Sequence, residues 1–546
     1  MKYTTIVLSG DYHDGPGTGA AALGARKKHR FEYHRFFELT ARIRRSRRVG
    51  TVLIDHRSDF SPAGFAAVEA IRRELISLAE GGKRLIFCCE DCDMLTLFLA
   101  SACDTRVIHP VGELRVLGIA RRFLFIKKTL DRFGVNATVI RRGRYKSAGD
   151  LFRTDSLDPA NREQYETFYG EAHERIVETI SRSTGKSRAD IDVLLSGHVL
   201  PAEQAVSHGW LTEVATVHEL HRRLRDQKRK ERTIKLHGKF GRGARVAVIF
   251  LDGAVCDGES RRHPVLGNCV GDRTIAGQLR ELSDDKKIKA VVLRVNSPGG
   301  SAVASESIRR ELAHLHKKKP IVVSMANVAG SGGYWVSTEA DRVFAESMTL
   351  TGSIGVLLML LEVEKPLKNY GVTSDVIETG RFAELGSPLR KLSREEQHLL
   401  DTRVEQLYED FIRRAADARN QTPERIEAVA AGRVWSGAAA TGRGLVDEIG
   451  GLDAALTHLR EKLGKKKLAV RMYPKVKSSL LERVLLKHLP ASPMGASRVT
   501  TAPAVIGELH RKPLAVVPEL LFDSLTISPG EVSSAYSTSY STELSM

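Results

Sequence analysis

Cysteine is scarce in this sequence. Six in 546 residues are too few and too scattered for the disulfide framework of a small secreted domain. Cys88, Cys89 and Cys92 cluster. No second Cys-x-x-Cys accompanies Cys89-x-x-Cys92, so these thiols read as buried bystanders and no metal or other cofactor is expected. Long apolar runs are missing too. Ile6–Leu8 is too short for a signal-peptide core, and no stretch approaches the ~18 apolar residues of a membrane span. The chain is therefore expected to be soluble, cytoplasmic or peripheral to a membrane. No Gly-Lys-Ser/Thr follows the glycine-rich loops, which excludes a P-loop. Aromatic residues are only 6%, and no aromatic-rich basic motif of a nucleic-acid module is present. The net charge of +18 sits largely in short runs, Arg42–Arg48 and His221–Arg232, which read as solvated faces. An excess of this sign still favours anionic partners such as membrane head groups.

What is present suits a soluble protein with more than one domain: 42% hydrophobic and 27% charged residues. An internal repeat is visible. Gly50–Asp55, Ile71–Leu75 and Arg84–Phe87 recur as Ala290–Val295, Ile308–Leu312 and Ile321–Ser324. The shift between the Ile-Arg-Arg-Glu-Leu elements is 237 residues. The same shift joins Gly118 to Gly355, Gly134-Val135 to Gly371-Val372 and Gly143-Arg144 to Gly380-Arg381. Gly209-Trp210-Leu211 matches Gly444-Leu445-Val446 at a shift of 235. Each copy alternates apolar strands with helices, the pattern of an α/β fold. Ala290–Val295 reads as a buried parallel strand interrupted by Arg294. Ser305–His316 reads as a helix with Ile308, Leu312 and Leu315 on one face and Ser305 as its N-cap. The stretches 156–195 and 393–430 read as helical.

The expected organisation is an N-terminal extension (1–45), a first repeat (46–222), a basic linker (223–245), a second repeat (246–465) and a C-terminal extension (466–546). Within the last, Ser479–Leu489 reads as an amphipathic helix, and the Ser/Thr/Tyr-rich end from Ser528 as disordered.

Candidate chemistry lies in the second repeat. After the strand Ile321–Ala326 comes Asn327-Val328-Ala329-Gly330-Ser331-Gly332-Gly333-Tyr334-Trp335. A serine among glycines, between a strand and a helix, is placed for nucleophilic attack, with backbone N–H groups nearby to hold an oxyanion. Ala329 departs from the strict Gly-x-Ser-x-Gly elbow. A second glycine loop, Asn296-Ser297-Pro298-Gly299-Gly300-Ser301, also ends a strand, where ligands bind in open α/β sheets. Gly300 and Gly332 are the expected oxyanion donors. Gly299 and Gly333 are expected to lie along the substrate.

These loops, followed by Leu350-Thr351-Gly352-Ser353-Ile354-Gly355-Val356, resemble the signature of the signal peptide peptidase A family. The resemblance covers roughly 45–465. It implies two tandem crotonase/Clp-protease-like domains, Ser331 as nucleophile, and Ser353 as a residue that orients the base. It implies a lysine base from the first domain, matched by Gly143-Arg144-Tyr145-Lys146-Ser147-Ala148. The repeat agrees: Lys146 shifted by 237 falls on Ala383, and Ser331 shifted back falls on Met94, so each copy carries half of a pair. Free lysine has a pKa of ~10.4 and must fall to ~7–8 to act as a base, a differential cost of ~4 kcal/mol. Burial would supply it, and Arg144 would help if it pointed inward. The family motif continues with an acidic residue, Pro and Phe where this chain has Asp150-Leu151-Phe152. The family also begins with a membrane anchor that has no match here. It further implies a bacterial, membrane-associated homo-oligomer, often a bowl-shaped tetramer, that degrades cleaved signal peptides or other hydrophobic fragments. A crotonase-like acyl-CoA enzyme and an inactive peptide-binding scaffold are the competing readings. The first would need carboxylates that the Ser331 turn lacks.

Overall fold

The structure is a computed structural model that describes residues 2–16, 30–263, 267–473 and 514–515. It is a mixed α/β protein with a parallel sheet in the first half and a mainly parallel one in the second. In the first half, β1 (Lys2–Leu8), β2 (Val49–His56), β3 (Arg84–Cys89) and β4 (Thr105–Ile108) lie side by side. Helices α1 (Tyr33–Arg45), α2 (Phe65–Glu80) and α3 (Met94–Ala100) accompany them. β2 is buried along nearly its whole length, as a strand covered on both faces must be. Further along come α4 (Lys127–Phe133), β5 (Asn136–Arg142) and the long α5 (Pro159–Thr184). The two-residue β6 (Glu213–Val214) closes the sheet against β4.

The second half builds β7 (Lys239–Gly241), β8 (Ala244–Asp252), β9 (Ile288–Ser297) and the short β10 (Gly300–Ser301). After α6 (Ala302–His316) come β11 (Ile321–Gly330), α7 (Gly332–Ser337), β12 (Arg342–Ala345), β13 (Leu350–Gly352) and β14 (Val356–Glu362). The chain continues through α8 (Glu364–Asn369), α9 (Arg394–Arg419), β15 (Glu448–Ile449), α10 (Leu452–Lys462) and β16 (Leu468–Tyr473). Strands β8, β9, β11, β12 and β15 are parallel neighbours in that order. The first sheet reads β1, β2, β3, β4, β6 in the same sense.

Three connections tie the halves together. β5 leaves the first half and pairs antiparallel with β14, with Val356 opposite Arg142 and Glu362 opposite Asn136. α5 packs Tyr165 and Phe168 against Val328 and Leu350. The third link is polar. Arg294 of β9 and Asp14 are both fully buried and paired at 3.0 Å. Arg294 also donates to Ser324 Oγ at 2.8 Å and lies over the Tyr33 ring.

Residues 1–45 are therefore woven into the fold rather than appended. β1 is an edge strand of the first sheet, α1 packs in its core, and Asp14 neutralises the charge in β9. Between 223 and 245, the chain adds β7 to the second sheet and starts β8. Ser305 is not the cap of α6. The helix starts four residues earlier, where Ser301 accepts from Ala304 N. Helices occupy most of 156–195 and 393–430. Among the described residues, no helix is long and apolar enough to cross a membrane. The stretch Ser479–Leu489 and the residues from Ser528 lie outside the described residues. A two-residue strand, β17 (Leu514–Ala515), pairs antiparallel with β10 and touches β14 at Leu357.

Candidate active site

Ser331 stands between β11 and α7 with φ +54°. A non-glycine residue rarely adopts that conformation, which is held here by its surroundings. Its N–H donates to Gly352 O at 2.9 Å, and the side chain is fully buried. The glycines beside it allow close packing. A methyl on Gly332 would lie 2.5 Å from Ser305 Oγ and 3.3 Å from Gly300 N, so the two glycine loops touch. A methyl on Gly333 would lie 2.7 Å from Ser297 O. Gly299 and Gly300 have φ of +100° and +150°, which side-chain-bearing residues avoid.

The antiparallel β5–β14 ribbon delivers Lys146 to this point. Its Nζ lies 2.6 Å from Ser331 Oγ, 2.9 Å from Ser353 O and 3.0 Å from Ser353 Oγ. Lys146 is 1% exposed, and burial lowers its pKa to about 7. No carboxylate pairs with it among the described residues, so nothing offsets the cost of a buried ammonium. Arg144 does not help: it is exposed, stacks on the Tyr145 ring and donates to the Tyr145 hydroxyl at 2.6 Å.

A set of polar contacts fixes the lysine turn. Arg141 Nη1 donates to Lys146 O at 2.9 Å and to buried Asp150 at 3.2 Å. Asn161 Nδ2 donates to Asp150 at 2.6 Å. Gln164 donates to Tyr145 O and accepts from Val434 N, both at 3.0 Å. Asp150 thus anchors the turn from below. Gly432 lies against it from the second half: with φ +78°, its absent Cβ would sit 2.6 Å from Lys146 N. Ser353, also at positive φ, donates its N–H to Arg433 O at 2.7 Å.

Ser331, Lys146, Ser353, Gly300, Gly332, Gly299 and Gly333 thus converge on one place. Asn161, Gln164, Arg433 and Gly432 were not legible in the sequence. The first three lie in ordinary helical or loop contexts. A glycine after a helical stretch reads as a helix stop, and only the fold shows it facing a lysine. Cys88, Cys89, Cys92 and Cys103 are free thiols, all buried in the first half.

A buried amine against a serine hydroxyl, beside glycine loops at strand ends, is the arrangement of a hydrolase that uses serine. The profile of peptidase family S49 matches residues 78–231 and 313–466, and its two matches are offset by 235 residues. The chain is 35% identical to "Protease 4" of Salmonella typhi over 483 residues, 83% of this chain and 77% of that protein. It is 30% identical to "Serine protease SPPA, chloroplastic" of Arabidopsis thaliana over 418 residues, covering 73% and 61%. It is 31% identical to "Protease 4" of Haemophilus influenzae over 436 residues, covering 73% and 68%. The chain belongs to peptidase family S49, and is a serine peptidase.

Proposed function

We propose that Ser331 and Lys146 form a Ser–Lys dyad in two tandem crotonase/Clp-protease-like domains, 46–222 and 246–465. The observation that carries this reading is the 2.6 Å approach of Nζ to Oγ in a buried pocket. A neutral amine has two protons and one lone pair. Its protons donate to Ser353 O and Ser353 Oγ, which leaves the lone pair for the Ser331 proton. Ser353 thereby orients the base. On attack, Ser331 Oγ bonds to the peptide carbonyl carbon and its proton passes to Lys146. Gly300 and Gly332 N–H groups, the second at the start of α7, hold the oxyanion. The C–N bond then breaks, and Lys146 returns the proton to the leaving amine. Water, deprotonated by the same lysine, releases the acyl group. The cycle is complete without a cofactor.

Substrates are extended peptides running beside Gly299, Gly300 and Gly333. The pairing of Leu514–Ala515 with β10 supports this, since it places polypeptide backbone in that slot. Cleaved signal peptides and other hydrophobic, unfolded peptides are the proposed class. One relative, 37% identical over 185 residues, is named "Putative signal peptide peptidase SppA". The enzyme works as a homo-oligomer, a tetramer by resemblance, in peripheral contact with a bacterial membrane. An acyl-CoA reaction is disfavoured because, among the described residues, no carboxylate is hydrogen-bonded to Ser331 or Lys146.

A fluorophosphonate probe and a peptide-cleavage assay test the dyad. Wild type is labelled and cleaves; Ser331→Ala does neither. Equal labelling of Ser331→Ala, or full turnover by Lys146→Met, overturns the assignment. Activity rises with pH through about 7, where Lys146 loses its proton, and then levels off.

A further inference from the structure

The net charge of +18 has one point of concentration that the peptide chemistry does not use. A cavity of about 1100 Å³ opens between the end of α1, the chain over 232–242, α10 and the start of β16. Nine lysines and arginines line it against one carboxylate, Asp453, which Arg73 holds at 3.5 Å. Arg42 and Arg44 are neutralised by Glu38 and Glu74 at 2.7 and 2.9 Å, and Arg460 has Glu461 at 3.5 Å. Arg45, Arg232, Lys235, Arg242, Lys466 and Lys467 have no carboxylate partner among the described residues. The fold forces these charges together. β7 and β16 pair antiparallel, with Gly241 opposite Ala469, which sets Arg242 near Lys467. Arg45 reaches the same place: a Cβ on Gly241 would lie 3.3 Å from Arg45 Nη1, and the Arg45 guanidinium stands 5.8 Å from the centre of the Phe240 ring. Burial, then Arg44 and Arg42, hold the Arg45 pKa below its usual value. Charges of one sign crowded in this way repel one another, and an anion with several charges at close spacing relieves them.

We propose that this cavity binds a compact, soluble anion bearing several phosphate groups. Guanidinium forks take phosphate oxygens in pairs, and ammonium groups add point charge. Here both come from three separate stretches of chain and surround one concave volume. A flat bilayer surface meets only the rim of such a volume. A single nucleic-acid strand needs exposed aromatic faces for its bases, and the two aromatic side chains of the lining, Phe37 and Phe240, are buried. What remains is a ligand small enough to enter and dense enough in charge to meet six cations. Arg45 belongs to the first half, and Lys466 and Lys467 lead into β16 of the second sheet. An anion held by both braces the halves against each other. This inference rests on charge and shape, and it stands or falls separately from the dyad.

Isothermal titration calorimetry with inorganic triphosphate tests it on the full chain, without magnesium, at about 50 and about 300 mM salt. The expected result is one saturable site per chain, weakened about 10-fold or more by the higher salt, and a melting temperature that rises with triphosphate. Arg242→Glu combined with Lys467→Glu weakens binding by about 30-fold or more, and Arg45→Ala, on a different element, by about 5-fold. Lys286→Glu combined with Lys287→Glu makes the same change in net charge at exposed positions outside the cavity and leaves the affinity within about 2-fold. Peptide cleavage and a ligand-free melt check that each variant is folded, and Arg45→Ala keeps the test decisive should the double reversal unfold. Absence of saturable binding overturns the proposal. So does an equal loss in the Lys286 and Lys287 variant, which would trace the attraction to net charge alone. Flotation with phosphatidylglycerol vesicles separates the other source of phosphate. Vesicles that capture wild type and release the Arg242 and Lys467 variant, with no binding of triphosphate, would put a lipid headgroup in the cavity and overturn the soluble ligand.

Discussion

The turn 143–148 and its counterpart 380–385 share the Gly-Arg start and little else. In the first, Tyr145, Lys146, Ser147 and Ala148 are all buried. In the second, Arg381, Phe382 and Ala383 are exposed. The first follows a strand hydrogen-bonded to β14, and Tyr145 N donates to Ala431 O at 3.0 Å. The second follows a segment with no strand partner. A lysine pKa depends on where the turn is docked rather than on the turn itself, because only desolvation lowers it here.

The largest effect should come from breaking that docked pair. Lys146→Met and Ser331→Ala are each expected to lower kcat by about 10⁴-fold or more, since members of such a unit fail together. The comparison sharpens when the lysine is moved. Ala383→Lys in a Lys146→Ala background should restore no turnover, because position 383 is solvated. Lys146→Met should also gain stability. Lysine in the native state releases its proton near pH 7, and in the unfolded chain near 10.5. Between these values the unfolded state binds the extra proton, so wild-type stability rises with pH. Below about 7 the full cost of burying the ammonium is present. Thermal melts at pH 6 should therefore favour Lys146→Met, and the difference should shrink by pH 9.

The next effect concerns the polar link between halves. Asp14→Ala strands the Arg294 guanidinium in the core and should cost about 3–5 kcal/mol, read as a lower urea midpoint. Replacing both partners with apolar residues of similar volume should cost less. This link also marks where the sequence stops being informative. The two glycine loops and the lysine turn are legible because acyl transfer demands a nucleophile, donors and a base of fixed types. The placement of 1–45 is not, because Asp14 meets Arg294 across 280 residues and local pattern holds no trace of it. Arg294 reads from sequence as an interruption of an apolar run. In the fold it is what recruits the N-terminal segment. Sequence pattern alone sets the start of α6 one turn too late, because Ser301 and Ser305 lie four residues apart on one face and either satisfies the capping pattern. Strand pairing through Gly300–Ser301 decides for Ser301.

A smaller change probes the contact between the halves at the lysine itself. Gly432→Ala places a methyl against Lys146 N at a positive φ. The turn must retreat, and a displacement near 1 Å costs about 10²-fold in rate. kcat should fall while KM changes little, and the melting temperature should drop as well, because alanine is strained at this positive φ. An unchanged kcat would show that the turn is held by Arg141 and Gln164 alone.

The smallest effect isolates one hydroxyl. Ser353 Oγ receives one of the two protons that a neutral Lys146 amine presents, and Ser353 O receives the other. Ser353→Ala removes the first acceptor and leaves the second. A lost hydrogen bond of about 1–1.4 kcal/mol corresponds to roughly 10-fold in kcat. The first half carries Val116 at this position, which makes Ser353→Val the natural comparison. Ser353 has φ +51°, however, and a β-branched residue is strained there. Valine should thus lose more activity than alanine and also lower the melting temperature, whereas alanine leaves it unchanged. If both variants keep wild-type kcat across pH 6–9, the lysine needs no orienting hydroxyl, and the backbone carbonyl alone sets its lone pair.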